Sequence, residues 1–181
     1  MTQDAIDFLV NQHHQVEALI EKVKAAGPDS RTELFDQLRE MLAVHETAEE
    51  LILRPVTRGI GEDGSRIADA RMAEENEAKK VLAELDKADA SSEGFLAQFA
   101  AFATDVLKHA SNEEEVEFPL VREQTDAEQR QMLASRMEKV EKMAPTHPHP
   151  SAKTTAANAV LGPFAAVLDR VRDAVSAAIK D

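Results

Sequence analysis

Two stretches of the chain repeat one polar spacing inside an apolar helical pattern: His45-x3-Glu49-Glu50-x4-Pro55 and His109-x3-Glu113-Glu114-x4-Pro119. Around the first, Leu38, His45 and Ile52 form one row and Leu42, Glu49 and Val56 the next. Around the second, the rows are Phe102, His109, Val116 and Val106, Glu113, Leu120. Residues seven apart share a helix face, and residues four apart stand one turn above each other on it. The spacing therefore predicts two helices, each turning a histidine and a glutamate inward at a single point of a greasy seam. An ionised carboxylate in such a place is costly unless it is paired or bound to a cation.

The breaks in the chain set the number of helices. Gly27-Pro28-Asp29-Ser30, Gly59-Ile60-Gly61-Glu62-Asp63-Gly64 and Ala88-Asp89-Ala90-Ser91-Ser92 are stop and turn signals. Ser30 with Glu33 and Thr125 with Glu128 read as capping boxes. They predict helices over about 4–26, 30–58, 65–88, 92–124 and 126–143. Abundant Ala, Leu, Glu and Lys, with only 6 Gly and 7 Pro, support that reading. Four long helices with short connections predict an all-α, up-down-up-down four-helix bundle over 1–124. Residues 125–181 read as a helical extension. Within it, Pro145-Thr146-His147-Pro148-His149-Pro150 is an extended linker, and a last helix over about 157–180 has an apolar stripe at Val160, Phe164, Val167, Val171 and Ile179.

The other two helices also interrupt their seams. In the first, Ile6, His13 and Ile20 recur every seven residues beside Leu9, Val16 and Val23, while His14 is turned about 100° away. In the third, the stripe Ala78, Val81, Leu82 and Leu85 projects back through Glu74 and Glu75, with Asn76 opposite. The levels agree: His13 lies 14 residues before Gly27, and His45 lies 15 after Ser30. Six groups, His13, His45, Glu49, Glu75, His109 and Glu113, thus fall in one layer, with Glu74 as the alternative on the third helix. Glu50, Glu114, Glu115 and Glu117 read as solvated groups or as partners that orient the histidines. Two His-x3-Glu pairs in matching register imply two metal ions related by pseudo-symmetry.

With these residues in view, the sequence resembles the hemerythrin-like (HHE cation-binding) family over about 4–124. The resemblance is carried by Asp4-Ala5-Ile6-Asp7-Phe8-Leu9 leading to His13, by His45 and Glu49 with Pro55, and by His109 and Glu113 with Phe118-Pro119. It implies a non-haem di-iron site, two iron ions with an oxo or hydroxo bridge, that meets dioxygen, hydrogen peroxide or nitric oxide. Manganese and zinc are the less favoured substitutes. Two departures stand out. Ungapped alignment of the third-helix stripe puts Glu75 where the family has a histidine, and three carboxylates favour ferric iron and oxidative chemistry over oxygen carriage. Arg54 stands where a tyrosine often precedes the first proline, and the chain has no Tyr or Trp at all.

Composition narrows the partners. A net charge of −13 disfavours nucleic acid and anionic membranes, and the absence of cysteine excludes thiolate zinc and iron–sulfur sites. No apolar run approaches the roughly 20 residues of a membrane span, and Met1-Thr2-Gln3-Asp4 does not resemble a signal peptide. The expectation is a cytoplasmic protein that decomposes peroxide under oxidative stress, with catalase-like or oxidase activity. The competing expectation is an oxygen, nitric-oxide or iron sensor that signals, or self-associates, through the C-terminal helix.

Overall fold

The computed structural model describes residues 4–143, so the predicted linker at 145–150 and the helix over 157–180 lie outside the described residues. Helix α1 (Ala5–Ala25) starts at Asp4, whose carboxylate accepts from the backbone N–H of Ile6 and Asp7 at 3.0 and 3.1 Å. Helix α2 (Pro28–Ala48) opens with Pro28 at its first position, where the missing N–H costs nothing. Gly27, not Ser30, is the cap, and the predicted Ser30–Glu33 box lies inside the first turn. The helix then passes through a π turn (Glu49–Leu53) into α3 (Arg54–Gly59). Helix α4 (Glu62–Leu85) follows a turn in which Gly61 has φ +103°, a value open chiefly to glycine.

Helix α5 (Glu93–Asn112) is capped by Ser92, which accepts from Phe95 N–H at 3.2 Å, and runs through a second π turn (Glu113–Glu117) into α6 (Phe118–Gln124). Helix α7 (Ala127–Met143) also starts one residue away from expectation. Asp126 and Gln129 cap each other reciprocally at 2.8 and 2.9 Å, displacing the predicted Thr125–Glu128 box.

The architecture is the expected all-α bundle, and no strand occurs among the described residues. α1 packs on α2, α3 on α4, and α4 on α5, which closes the bundle against α1. α7 lies along α1 and α2. The apolar interior falls into two clusters. One gathers Ile6, Leu9, Leu53, Phe118 and Val121 with Leu133, Met137 and Val140 of α7. The other gathers Val16, Ile20, Leu38, Leu42, Leu82, Phe99, Phe102 and Val106. Along α1, His13 separates Leu9 of the first cluster from Val16 of the second. Along α2, His45 and Glu49 separate Leu42 from Leu53. A polar layer therefore crosses the core at mid-height. No helix among the described residues is long and apolar enough to cross a membrane.

Candidate metal centre

The layer owes its shape to two prolines. Pro55 and Pro119 have no N–H, and each ring would clash with the carbonyl four residues back. The chain relieves this by lengthening the preceding turn: Arg54 N–H bonds to the carbonyl of Glu49, and Phe118 N–H to that of Glu113, five residues apart. One residue is thereby inserted into each helix immediately after the inward-facing glutamate, a distortion often found at functional sites. The rows predicted from α-helical spacing hold up to Glu49 and Glu113 and slip by one beyond them, although Ile52 stays in the core beside Leu53. Val116 is 48% exposed and Glu117 is buried in its place, Val121 is buried more deeply than Leu120, and Thr57 more deeply than Val56. The slip also carries Arg54 and Phe118 to the inner face.

All six groups expected in the layer are buried and adjacent. They form two overlapping sets of potential ligand atoms, each within 4.8 Å of one another: His13, His45, Glu49 and Glu113, and Glu49, Glu75, His109 and Glu113. Glu49 and Glu113 belong to both. His45 Nε2 is 3.6 Å from Glu49 Oε2, His109 Nε2 is 3.2 Å from Glu113 Oε1, and His13 Nε2 is 3.2 Å from Glu113 Oε2. None of these approaches has hydrogen-bond alignment. His13 Nε2, His109 Nε2, Glu49 Oε1 and Glu113 Oε2 are left buried without a hydrogen-bond partner. Four such atoms within one layer are unusual in a protein interior, where buried polar groups are almost always hydrogen-bonded. They are the donor set a pair of cations would satisfy.

The outer nitrogen of each of the three histidines in the layer is held. His13 Nδ1 lies 2.7 Å from Glu114 Oε1, His45 Nδ1 3.0 Å from Gln12 Oε1, and His109 Nδ1 2.9 Å from Glu74 Oε2. Ionised carboxylate and amide oxygens only accept, so each Nδ1 donates its hydrogen outward, and in the neutral ring Nε2 presents a lone pair to the layer. Glu74 Oε2 lies against His109 Nδ1 and its Oε1 accepts from Asn112 Nδ2 at 2.9 Å, while Glu75 is buried in the set with Glu49, His109 and Glu113. His14 is exposed, as its phase predicts.

Three participants were not legible as such from spacing. Gln12 sits next to His13 in sequence yet serves His45. Glu46, adjacent to His45, is buried and lies 3.5 Å from Lys79 Nζ. Arg54 is the third and the largest fully buried side chain, with 2% exposure. Its Nη2 donates to Glu75 Oε1 at 2.8 Å, to Glu49 Oε2 at 3.3 Å, and to Glu113 Oε1. Its Nη1 donates to Glu117 Oε2 at 2.6 Å. Thr57 Oγ1 donates to the other oxygen of Glu117 at 2.6 Å. The signal that could have found Arg54 is the proline after it, which re-phases the helix.

One guanidinium among four carboxylates, with Lys79 Nζ 3.5 Å from Glu75 Oε2 at the edge, does not balance them. Burial works against the Arg54 charge, but Glu49, Glu113, Glu117 and Glu75 raise its affinity for the proton, so it stays cationic. Burial pushes Glu49 well above the usual carboxylate range, and Glu113 adds to the push. Burial would raise Glu113 too, but His109, His13 and Arg54 hold it well below that range. Burial opposes the charge on His109, yet Glu113 and Glu74 outweigh it and push the imidazole up to about 11. Burial, and then His13, depress His45 strongly. In the absence of cations the layer thus keeps protons on some groups to offset the charge of others, and a bound cation would displace them.

Beside the histidines is a cavity of about 20 Å³, walled by Val16, Leu42, Ala78, Val106 and Leu107 and touched by Glu46. Roughly 10–15 Å³ suffices for one water, so the space suits a ligand of one or two heavy atoms. Ala78 and His109 separate it from an outer groove of about 340 Å³ lined by Glu74, Glu77, Asp105 and Lys108.

A buried layer of histidines and carboxylates strung across four helices is the mark of a helical-bundle cation-binding domain. The sequence matches the hemerythrin HHE cation-binding domain over residues 4–121, and the chain belongs to that family. It is 28% identical over 170 residues to a hemerythrin-like protein of Schizosaccharomyces pombe, covering 92% of this chain and 84% of the relative. Its fold is shared with the crystal structure of a hemerythrin HHE cation-binding domain-containing protein from Mycobacterium kansasii. That likeness has a TM-score of 0.70 at 23% identity, over 92% of this chain and 98% of the other.

Proposed function

We propose that the layer holds two iron ions and that the protein uses them to decompose hydrogen peroxide. The observation that carries this reading is the pair of overlapping donor sets sharing Glu49 and Glu113. Glu113 has Oε1 beside His109 and Oε2 beside His13, so it could serve both positions. His13 and His45 would complete one position, and His109 and Glu75 the other. Bound iron would supply a Lewis acid and a two-electron redox couple, the chemistry needed to convert two molecules of peroxide into two of water and one of dioxygen. Three carboxylate ligands favour the ferric state and with it reaction over reversible carriage.

The protein's own groups do the rest. Gln12, Glu114 and Glu74 keep the three imidazoles turned with Nε2 inward. The apolar wall of the cavity limits what reaches them to very small molecules and keeps bulk water out. Glu46 borders that cavity, its Oε2 without a hydrogen bond and 3.5 Å from Lys79 Nζ, and burial followed by the charge of Glu75 pushes it up to about 8. It therefore holds a proton at neutral pH, available to an oxygen atom lodged beside it. The outer groove carries three acidic side chains against one lysine, which favours uncharged peroxide, dioxygen or nitric oxide over anions.

Iron-loaded protein mixed with hydrogen peroxide should evolve dioxygen at an electrode, and its absorption spectrum should show a near-ultraviolet ligand-to-iron band. Colourless protein with two irons per chain and no dioxygen release would refute the proposal.

A further inference from the structure

The two donor sets are not equally free. Of the four groups in the His109 set, Arg54 Nη2 engages three: Glu75 Oε1, Glu49 Oε2 and Glu113 Oε1. Glu49 and Glu113 are shared with the His13 set, but Arg54 touches neither His13 nor His45, whereas it holds Glu75, a group that only the His109 set contains. His13 Nε2, His109 Nε2, Glu49 Oε1 and Glu113 Oε2 have no hydrogen-bond partner, so the two positions differ in the hold on Glu75. The guanidinium is also anchored from behind. Nη1 is bound by Glu117, and Glu117 by Thr57. This support is built asymmetrically across the internal repeat: where one copy has Leu53-Arg54-Pro55, the other has Glu117-Phe118-Pro119. The repeat's second member at this point, Phe118, stacks on His13 with ring centres 5.6 Å apart and brings no charge.

We infer that Arg54 is a resident cation that makes the two metal positions unequal. The first ion enters the His13–His45 position, and a second must draw Glu75 off the guanidinium before it can settle beside His109. A metal ion and a guanidinium compete for the same carboxylate oxygens, and a planar fork held at both ends is slow to yield. Arg54 is accordingly a positioning residue: it acts on metal through the carboxylates it holds. This rests on the reading that the layer binds metal.

Zinc(II), which has no redox chemistry to complicate the count, is titrated into metal-free protein by calorimetry, with elemental analysis of the product. The wild type should take up one tight equivalent and a second at least ~10-fold weaker, the scale on which groups around a site alter metal affinity. Arg54→Met should bring the two dissociation constants to within roughly 3-fold. Glu75→Gln should lose the weak step and keep the tight one, and His13→Ala should do the reverse. Two equal steps in the wild type, an Arg54→Met ratio unchanged from the wild type, or loss of the tight step in Glu75→Gln would each overturn the inference. Should Arg54→Met not fold without metal, the wild-type steps and the other two variants still decide it. Equal steps would leave the metal-binding reading standing; no zinc uptake at all would remove both.

Discussion

A carboxyl group that nothing in the repeat announced, Glu46, is where the residue-scale chemistry is most exposed to experiment. Its folded value near 8 exceeds the ordinary 4.5, because burial and then Glu75 disfavour its charge more than Lys79 favours it. Between those two values the native state binds more protons than the unfolded chain. Glu46 therefore makes stability fall as pH rises through that window. Glu46→Gln removes the slope. The metal-free variant should gain on the order of 1–3 kcal/mol over wild type at pH 9 and little at pH 4.5, measured by urea unfolding. An equal difference at both pH values would show that Glu46 ionises freely. The histidines give a cleaner contrast. His109→Ala should lower bound metal by at least ~10-fold in affinity, whereas His14→Ala, on an exposed face, should leave it unchanged. Equal losses would mean that His109 supplies no donor. The residues of the layer were legible because each lies where 3.6-residue periodicity is intact: His13 and Glu75 on helices without a π turn, His45 and His109 before one, and Glu49 and Glu113 at its first residue. Arg54 was not: a charged residue outside the apolar rows reads as solvated until the inserted residue turns it inward.

At the scale of elements, the site depends on where two helices depart from α geometry. The proline after each His-x3-Glu pair forces the departure, and the slip it causes exchanges Val116 for Glu117 on the inner face. The start of α4 is coupled to the same place. A Cβ on Gly64 would stand 2.1 Å from the carbonyl oxygen of Thr57, whose hydroxyl supports Glu117. Gly64→Ala should therefore push α3 away from α4 and destabilise the protein by about 1–3 kcal/mol. Circular dichroism melts will check this, and an unchanged melting temperature would show that the hairpin can relax freely. Helix number and order were readable from the turn signals, since Gly and Pro act locally. The caps were less so. Gly27-Pro28 outcompetes Ser30 because proline pre-sets the first turn, and Asp126 outcompetes Thr125 because Gln129 is spaced to cap it in return.

For the molecule as a whole, a polar layer divides one hydrophobic interior into two clusters, and its acidic groups outnumber its resident cation. Arg54 and retained protons let the metal-free chain fold, at a cost that bound cations would relieve. Loaded protein should melt roughly 5–10 °C above chelator-treated protein when free metal is near 100 times its dissociation constant, since linkage then supplies about 2.7 kcal/mol. Identical melts would mean that the ion pairs suffice alone. The layer's depth, midway along all four helices, was implied by counting residues from the turns, because helical rise is constant to either side of the π turns. The most direct test of the central claim is anomalous diffraction at the iron edge from crystals grown with iron. The account predicts one peak among His13, His45, Glu49 and Glu113 and a second beside His109 and Glu75. Crystals in which these six side chains contact only one another and Arg54, with no anomalous peak between them, would contradict it.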